Sequence, residues 1–355
     1  MPTQSSGPLT VAVVGATGAV GRTMLQVLIE RAFPFATLRP LASARSAGTT
    51  LVISGHRLTV EEARPESFDG VDIALFSAGA TASGTLAPAA AEAGAVVIDN
   101  SSRWRMEPGV PLVVPEVNAA DAASHEGIIA NPNCSTMQLV PLLAALRDAA
   151  GLERVVVDTY QAVSGSGHKA VAELQAQVEA HVAGHAITAS VYPHAIAFNV
   201  LPQVDVFLED GYTREEWKVI HESRKILHLP DLRLSCTAVR VPVFTGHSEA
   251  VHVELRDPLS PDQAREAFAA VAGVIVVDEP AASRYPLATD AAGKDQIFVG
   301  RVRRDVSVPD GRGIAFWVVS DNLRKGAATN AVQIAELVAA RGWLAPASRR
   351  AGRAA

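Results

Sequence analysis

The spacing of apolar and polar positions changes period several times within the first hundred residues. Thr10–Val14 is a short β-branched run that predicts a buried strand. Gly21–Ala32 predicts a helix, because Val20, Met24, Val27 and Leu28 recur at i, i+4, i+7 and i+8 and line one face. Thr37–Leu41, Val71–Phe76 and Val96–Ile98 predict further strands, and the alanine-rich segment 80–93 predicts the helix between the last two. Strand–helix alternation of this kind predicts a parallel sheet with helices on both faces.

The texture differs after residue 150. Leu152–Ala162 and Val239–Val243 predict strands, and in His247–Leu255 the apolar Val251, Val253 and Leu255 alternate with His252 and Glu254. Phe244-Thr245-Gly246 reads as a hairpin-like join, and the long runs between strands predict a mixed sheet. From Asn322 to Trp343 a helical pattern returns through Ala328, Val332, Ile334, Ala335, Leu337 and Val338, with a tail from Ala345 expected to fray. Pro141, inside the helical pattern of Leu139, Leu142, Leu143 and Leu146, is expected to kink that helix or cut it short.

A chain of 355 residues is too long for one ordinary core, so two domains are expected. Hydrophobic residues make up 48% and charged ones 19%, enough to bury a core and too apolar for a disordered chain. Lys and Arg number 31 against 37 Asp and Glu, a net of −6, which argues against nucleic acid as a partner. No run approaches the ~18 apolar residues of a membrane helix, and Met1–Thr10 lacks a signal-peptide layout. Two cysteines, Cys134 and Cys236, cannot form a disulfide scaffold and suit a cytoplasmic location. No metal site is expected: His181 and His185 have i, i+4 spacing but no adjacent Glu and no third ligand. Arg301-Val302-Arg303-Arg304 reads as a strand with a solvated face.

Two places carry candidate chemistry. The first strand runs into Gly15-Ala16-Thr17-Gly18-Ala19-Val20-Gly21 and then a helix, the setting in which backbone N–H groups meet a dinucleotide pyrophosphate. An NAD reader places Asp or Glu about 20 residues on, but no acidic residue lies between Glu30 and Glu61. Ser43, Arg45 and Ser46 stand there instead and would accommodate the 2′-phosphate of NADP. The second place is Asn131-Pro132-Asn133-Cys134-Ser135-Thr136. Proline forces an extended approach, and Cys134 falls at a helix N-terminus, where N–H groups and the dipole favour thiolate. Cys236, within a strand-like run, reads as a buried small hydrophobe.

With YQAVSGSGHKA, FNVLPQVDVF, EEWKVIHESRKIL, RVPVFTGHSEAVHVEL and DNLRKGAA following in order, the chain resembles the aspartate-semialdehyde dehydrogenases over roughly residues 10–340. The resemblance implies an α/β protein: a Rossmann-type NADP-binding domain (1–132 with 322–355) and an α+β catalytic and dimerisation domain with a mixed sheet (133–321). It implies an oxidoreductase of amino-acid biosynthesis (lysine/diaminopimelate, methionine, threonine and isoleucine) acting as a homodimer. The reaction implied is the reversible, phosphate-dependent conversion of aspartyl-4-phosphate to aspartate 4-semialdehyde. By the same resemblance Cys134 is the nucleophile that forms a thioester, and Gln161 orients the substrate beside it. His247 is the acid–base group, acting through the near-neutral pKa of histidine. Arg240 grips the substrate α-carboxylate and Glu215 pairs with its ammonium. Lys218, Arg103 and Asn133 bind phosphate, while Ser164, Gly165 and Asn322 lie near the nicotinamide.

A nearby rival is N-acetyl-γ-glutamyl-phosphate reductase, which shares fold, cofactor and a Cys–His pair. Its family typically has glycine before the cysteine, where this chain has Asn133, and its acetylated substrate would give Glu215 no ammonium. Glyceraldehyde-3-phosphate dehydrogenase is more distant and usually takes NAD. A non-catalytic NADP-binding paralogue would be expected to lose Cys134, His247 or Arg240, and all three are present.

Overall fold

In the computed structural model, which describes residues 9–345, the chain divides into two compact units. Of the described residues, those up to Asn133 and those from Ala327 on form one, and Cys134–Gly326 form the other.

The first unit is built on β1 (Leu9–Val14), α1 (Ala19–Glu30), β2 (Phe35–Ala42), the short pair β3 (Thr50–Ile53) and β4 (His56–Thr59), and β5 (Glu61–Glu62). It continues through β6 (Ile73–Phe76), α2 (Ala80–Glu92), β7 (Val96–Asp99), α3 (Pro115–Asn118) and β8 (Ile128–Ala130). Six strands form a parallel sheet in the order β5-β2-β1-β6-β7-β8. The strands are apolar on both faces because both are covered. Val11, Val13, Ile73 and Leu75 pack with α1 and with the helix Asn330–Ala340, which returns from the far end of the chain. Ala12, Val14, Ala74 and Phe76 pack with Ala87 and Ala90 of α2.

The second unit opens on α4 (Cys134–Ala150), β9 (Leu152–Gln161), α5 (His168–Val182), α6 (Arg214–Leu227), β10 (Arg233–Arg240) and β11 (His247–Leu255). It closes with α7 (Pro261–Ala269), β12 (Val274–Val276), α8 (Ala288–Ala291), β13 (Ile297–Arg304) and β14 (Gly313–Ser320). The sheet is mixed, in the order β10-β9-β11-β14-β13-β12. Helices α4, α6 and α7 pack on one face. On the other, the Tyr160 and Trp317 rings meet at 5.3 Å, tilted by 44°, and Tyr160 is exposed.

Four expectations need correction. The strand expected at Val239–Val243 is β10, Arg233–Arg240, and the apolar run past it is a loop. Phe244-Thr245-Gly246 does not close a hairpin, because β9 lies between β10 and β11 and the loop is instead pinned to β9's exit by Val163 N–H to Val243 O (2.9 Å) and Ser164 N–H to Phe244 O (3.1 Å). Pro141 does not end α4, which runs on to Ala150 with its proline buried against the core. The helix expected from Asn322 begins as a wide π-helical turn, Arg324–Thr329, before Asn330–Ala340. Asp321 organises that turn, its carboxylate accepting from the N–H groups of Leu323 (2.8 Å) and Arg324 (3.1 Å). Arg301, Arg303 and Arg304 are exposed on β13, as expected of a solvated strand face. The fraying expected past Ala345 falls outside the described residues.

Candidate functional site

In the first unit β1 ends in a turn that only glycine fits. Gly15 has φ +80°, and a Cβ there would lie 2.5 Å from Ser77 O; one at Gly21 would lie 2.2 Å from Gly15 O. Gly15 and Ala16 N–H both donate to Leu41 O (2.8 and 3.1 Å), and Gly18 caps α1 without any side chain. Thr17, Ala19 and Val20 complete a first turn that Gly18 and Ala19 leave exposed. Such a loop presents free N–H groups at the positive end of a helix, the arrangement that cradles a pyrophosphate.

Beyond β2, Ser43 leads into a 3₁₀ turn over Ala44–Ser46 in which Arg45 is exposed. The sequence offers no acid here, but the fold brings Glu61 and Glu62 beside Leu41 and Ala42. Arg39 occupies Glu61 in a two-bond grip (3.0 and 2.6 Å), and that bond holds the Glu61 carboxyl below its ordinary range. Only a parallel strand pairing twenty residues away could reveal these carboxylates.

Arg103 stands on the loop after β7. It pairs with Glu107 (2.9 Å) and lies over the Trp104 ring (4.5 Å). Buried Arg105, missed in the sequence, ties this loop to the approach to Cys134, donating to Asn131 O (3.0 Å) and Asn100 O (2.9 Å). Asn131 bonds Asn100 Oδ1 (2.7 Å), Ala327 O (3.0 Å) and Asn330 (2.7 Å), and Asn133 is buried.

In the second unit Cys134 is the half-buried first residue of α4. Gln161, at the end of β9, reaches its sulfur (Nε2 to Sγ 3.9 Å) and Glu215 Oε1 on α6 (3.1 Å). Glu215 lies in the first turn of α6, with Lys218 one turn on at 2.9 Å; Asp205 holds the same ammonium at 2.8 Å. Burial works against the Lys218 charge, but Glu215 and Asp205 outweigh it and hold its pKa above the ordinary value. A capping box on Thr213 and Glu216 starts this helix, and Glu216 also accepts from Ala238 N–H (2.9 Å) on the edge strand β10.

The peptide unit around Ala162 links the remaining two groups. Its N–H donates to His247 Nδ1 (3.0 Å), and its carbonyl accepts from Arg240 Nη1 (2.7 Å). A backbone N–H can only donate, so the neutral ring of His247 carries its proton on Nε2. That nitrogen and Arg240 Nε are buried without a hydrogen-bond partner. The near-neutral pKa expected of His247 is not found. Burial, then the positive charge of Arg240, push it down to about 3, with Glu215 opposing. Gly165 lies close against both: a Cβ there would lie 3.2 Å from Arg240 Nη1 and 3.3 Å from His247 Nε2. Ser164 bonds Asn322 (2.9 and 3.1 Å), whose Oδ1 accepts from Gly246 N–H (2.9 Å) just ahead of His247.

Gly326, unremarked in the sequence beyond its motif, packs directly on the thiol residue: a Cβ would lie 3.0 Å from Cys134 Cβ. Cys236 is buried with its thiol pKa raised well above the ordinary value, by burial first and then by Glu249. His181 and His185 are exposed, His181 lying against the Phe198 ring (4.5 Å), and no metal-binding cluster occurs among the described residues. None of the described helices is long and apolar enough to cross a membrane.

Residues 10–125 match the semialdehyde dehydrogenase NAD binding domain, and residues 143–325 match the semialdehyde dehydrogenase dimerisation domain. Over 339 residues the chain is 54% identical to an aspartate-semialdehyde dehydrogenase of Aquifex aeolicus (strain VF5), covering 94% of this chain and 99% of that protein. The fold matches aspartate semialdehyde dehydrogenase II of Vibrio cholerae complexed with ASA at TM-score 0.90 and 47% identity, covering 94% and 98% of the two chains. It also matches aspartate semialdehyde dehydrogenase with NADP from Candida albicans at TM-score 0.75 and 25% identity, covering 95% and 99%.

Proposed function

The chain belongs to the aspartate-semialdehyde dehydrogenase family, and from that premise we propose that it interconverts aspartate 4-semialdehyde and aspartyl-4-phosphate, using NADP and inorganic phosphate. The observation that carries this reading is the grouping of one thiol, one amide, one carboxylate, one guanidinium and one imidazole at neighbouring strand and helix ends of the second unit.

The thiolate of Cys134 adds to the aldehyde carbon, and the carbonyl electrons move to oxygen, giving a thiohemiacetal oxyanion. Neutral His247 stabilises that oxyanion by donating from Nε2–H, a role that needs no histidinium and suits its low pKa. Bound NADP would supply the hydride acceptor, leaving an acyl thioester on Cys134. Phosphate oxygen then attacks the thioester carbonyl, the C–S bond breaks, and thiolate returns as aspartyl phosphate leaves.

Arg240 would hold the α-carboxylate and Glu215 the ammonium, with Gln161 between Glu215 and the thiol. Lys218, Arg103 and Asn133 would serve phosphate. The Gly15–Gly21 turn, with Thr17, Ala19 and Val20, would hold the pyrophosphate. Ser43, Arg45 and Ser46 would hold the 2′-phosphate, a choice supported by the exposed Arg45 and by Glu61 being committed to Arg39. Ser164, Gly165 and Asn322 would line the nicotinamide end. The dimerisation-domain match supports a homodimer.

The test is intact-mass analysis after mixing the protein with aspartate semialdehyde and NADP in the absence of phosphate. An aspartyl adduct mapped to Cys134, discharged when phosphate is added, is expected. An adduct on another residue, or none, would overturn the thioester route.

A further inference from the structure

Beneath the groups just described lies a second polar layer that the reaction as written does not use. Gln138 follows Cys134 by four residues on α4 and so lies one turn below it on the same face. Glu249 follows His247 by two on β11 and lies about 7 Å below it, also on the same face. Cross-strand pairing completes the layer. Ser320 sits opposite His247, and Thr159 sits opposite Glu249. Ser320 Oγ donates to Gln138 Oε1 (2.6 Å), and Thr159 Oγ1 donates to Gln161 Oε1 (3.3 Å). The next layer down, Val157, Val251 and Phe316, is apolar.

Glu249 is out of place in such a layer. It is fully buried, and neither carboxyl oxygen has a hydrogen-bond partner; the Gln138 Nε2 is likewise buried without one. The amide and the carboxyl are neighbours, and no basic side chain contributes to the charge balance of Glu249. An unpaired carboxylate buried in this way would be strongly destabilising. An uncharged carboxyl, with one donor and one acceptor, is instead the complement of a primary amide.

We propose that Glu249 is a positioning residue for the reaction: its carboxyl, seated against the Gln138 amide, fixes the first turn of α4 under Cys134 and holds Gln138 on Ser320, opposite His247. Thiol and imidazole lie on different elements, α4 and β11, and the Glu249–Gln138–Ser320 chain braces the two at the level just below the reacting atoms. Burial raises the Glu249 pKa well above the ordinary carboxylate range, against the opposing pull of the Gln138 amide, which agrees with an uncharged brace. The Cys236 thiol on β10 and the carboxylates of Glu215 and Glu216 on α6 lie toward the same region and add no positive charge to it.

The inference rests on the proposed reaction, and its test is arranged so that the two can fail separately. Glu249→Gln keeps the shape and the donor-and-acceptor character of an uncharged carboxyl, and Glu249→Leu keeps shape alone. Both are compared with the unaltered protein for kcat, for KM of aspartate semialdehyde, and for the rate of Cys134 alkylation by iodoacetamide. Glu249→Leu is expected to lose about 10²-fold in kcat, the scale of a reacting group displaced by an ångström, with KM unchanged and alkylation slowed. Glu249→Gln is expected to match the unaltered protein in all three. Should Glu249→Leu not fold, Gln138→Met breaks the same brace from the helix side and is expected to show the same pattern. A Leu variant with undiminished kcat and alkylation, a Gln variant as poor as Leu, or a change confined to KM would each overturn the proposal. If the unaltered protein does not turn over the semialdehyde, the proposed reaction fails, and the alkylation rates alone decide on Glu249.

Discussion

Gly326→Ala is the most direct probe of how tightly Cys134 is held. The added Cβ would lie 3.0 Å from Cys134 Cβ and 3.4 Å from both its Cα and its carbonyl oxygen. Non-bonded carbons settle at about 3.5–4.0 Å, so one of the two segments must give by ~0.5–1 Å. Two of the three atoms struck are backbone at the first residue of α4, and the third is the Cβ bonded to Cα, so no flexible side chain can swing aside. Gly326 has no positive φ, so alanine brings no backbone strain and the effect is steric. Overpacking of this kind costs about 1–3 kcal/mol in stability. Displacing the thiol by a comparable distance is expected to lower kcat by about 10²-fold, more than such a loss of stability would by itself cause in a folded enzyme. The assay pairs steady-state turnover of aspartate semialdehyde with a thermal midpoint on the same preparation. Undiminished kcat with an unchanged midpoint would show that Cys134 is not held by this contact, which would then have slack.

Three further outcomes are expected. Arg45→Ala should weaken NADP by about 1.5–3 kcal/mol, the worth of a charged hydrogen bond, while leaving NAD nearly unaffected; equal losses, read by fluorescence titration, would remove Arg45 from the 2′-phosphate site. Arg240→Lys should impair turnover despite keeping the charge, because an ammonium cannot offer two parallel bonds to a carboxylate while holding Ala162 O; a normal rate would contradict that role. For His247 the folded pKa of about 3 lies below the ordinary 6.5, so the unfolded chain binds its proton first. Stability should therefore be fully present above pH 6.5 and fall as pH drops toward 3, by about 1.4 kcal/mol per pH unit. His247→Gln should flatten that slope in urea titrations across the window, and an identical slope in both proteins would show that His247 is not its source.

Much of the first unit was legible in the sequence because its elements are apolar on both faces and end in glycine turns: β1, α1 and the Gly15–Gly21 loop follow from local pattern alone. The second unit was less so. β9 and β11 were visible by period, but β10 was set several residues too late, β12 and β14 were not marked, and the strand order was hidden, so that Phe244-Thr245-Gly246 looks like a hairpin only until β9 is known to lie between its neighbours. Cys134 and His247 stood out through motif and resemblance, whereas the His247 tautomer depends on the Ala162 N–H, a backbone contact that no side-chain pattern encodes. Its depressed pKa has the same origin, since burial and Arg240 come from packing rather than from the residues beside it in sequence. Glu61 beside β2, Gly326 on Cys134 and Gln138 beside Glu249 all rest on contacts between distant segments.

Phosphate-dependent oxidation of the semialdehyde is tested by NADP reduction with the purified protein, followed by absorbance with and without phosphate. Aspartate semialdehyde and N-acetyl-glutamate semialdehyde are offered side by side. Turnover of the first alone, lost when phosphate is withheld, is the predicted result. Turnover of the second alone would contradict the pairing of Glu215 with a substrate ammonium, and turnover of neither would contradict the enzyme itself.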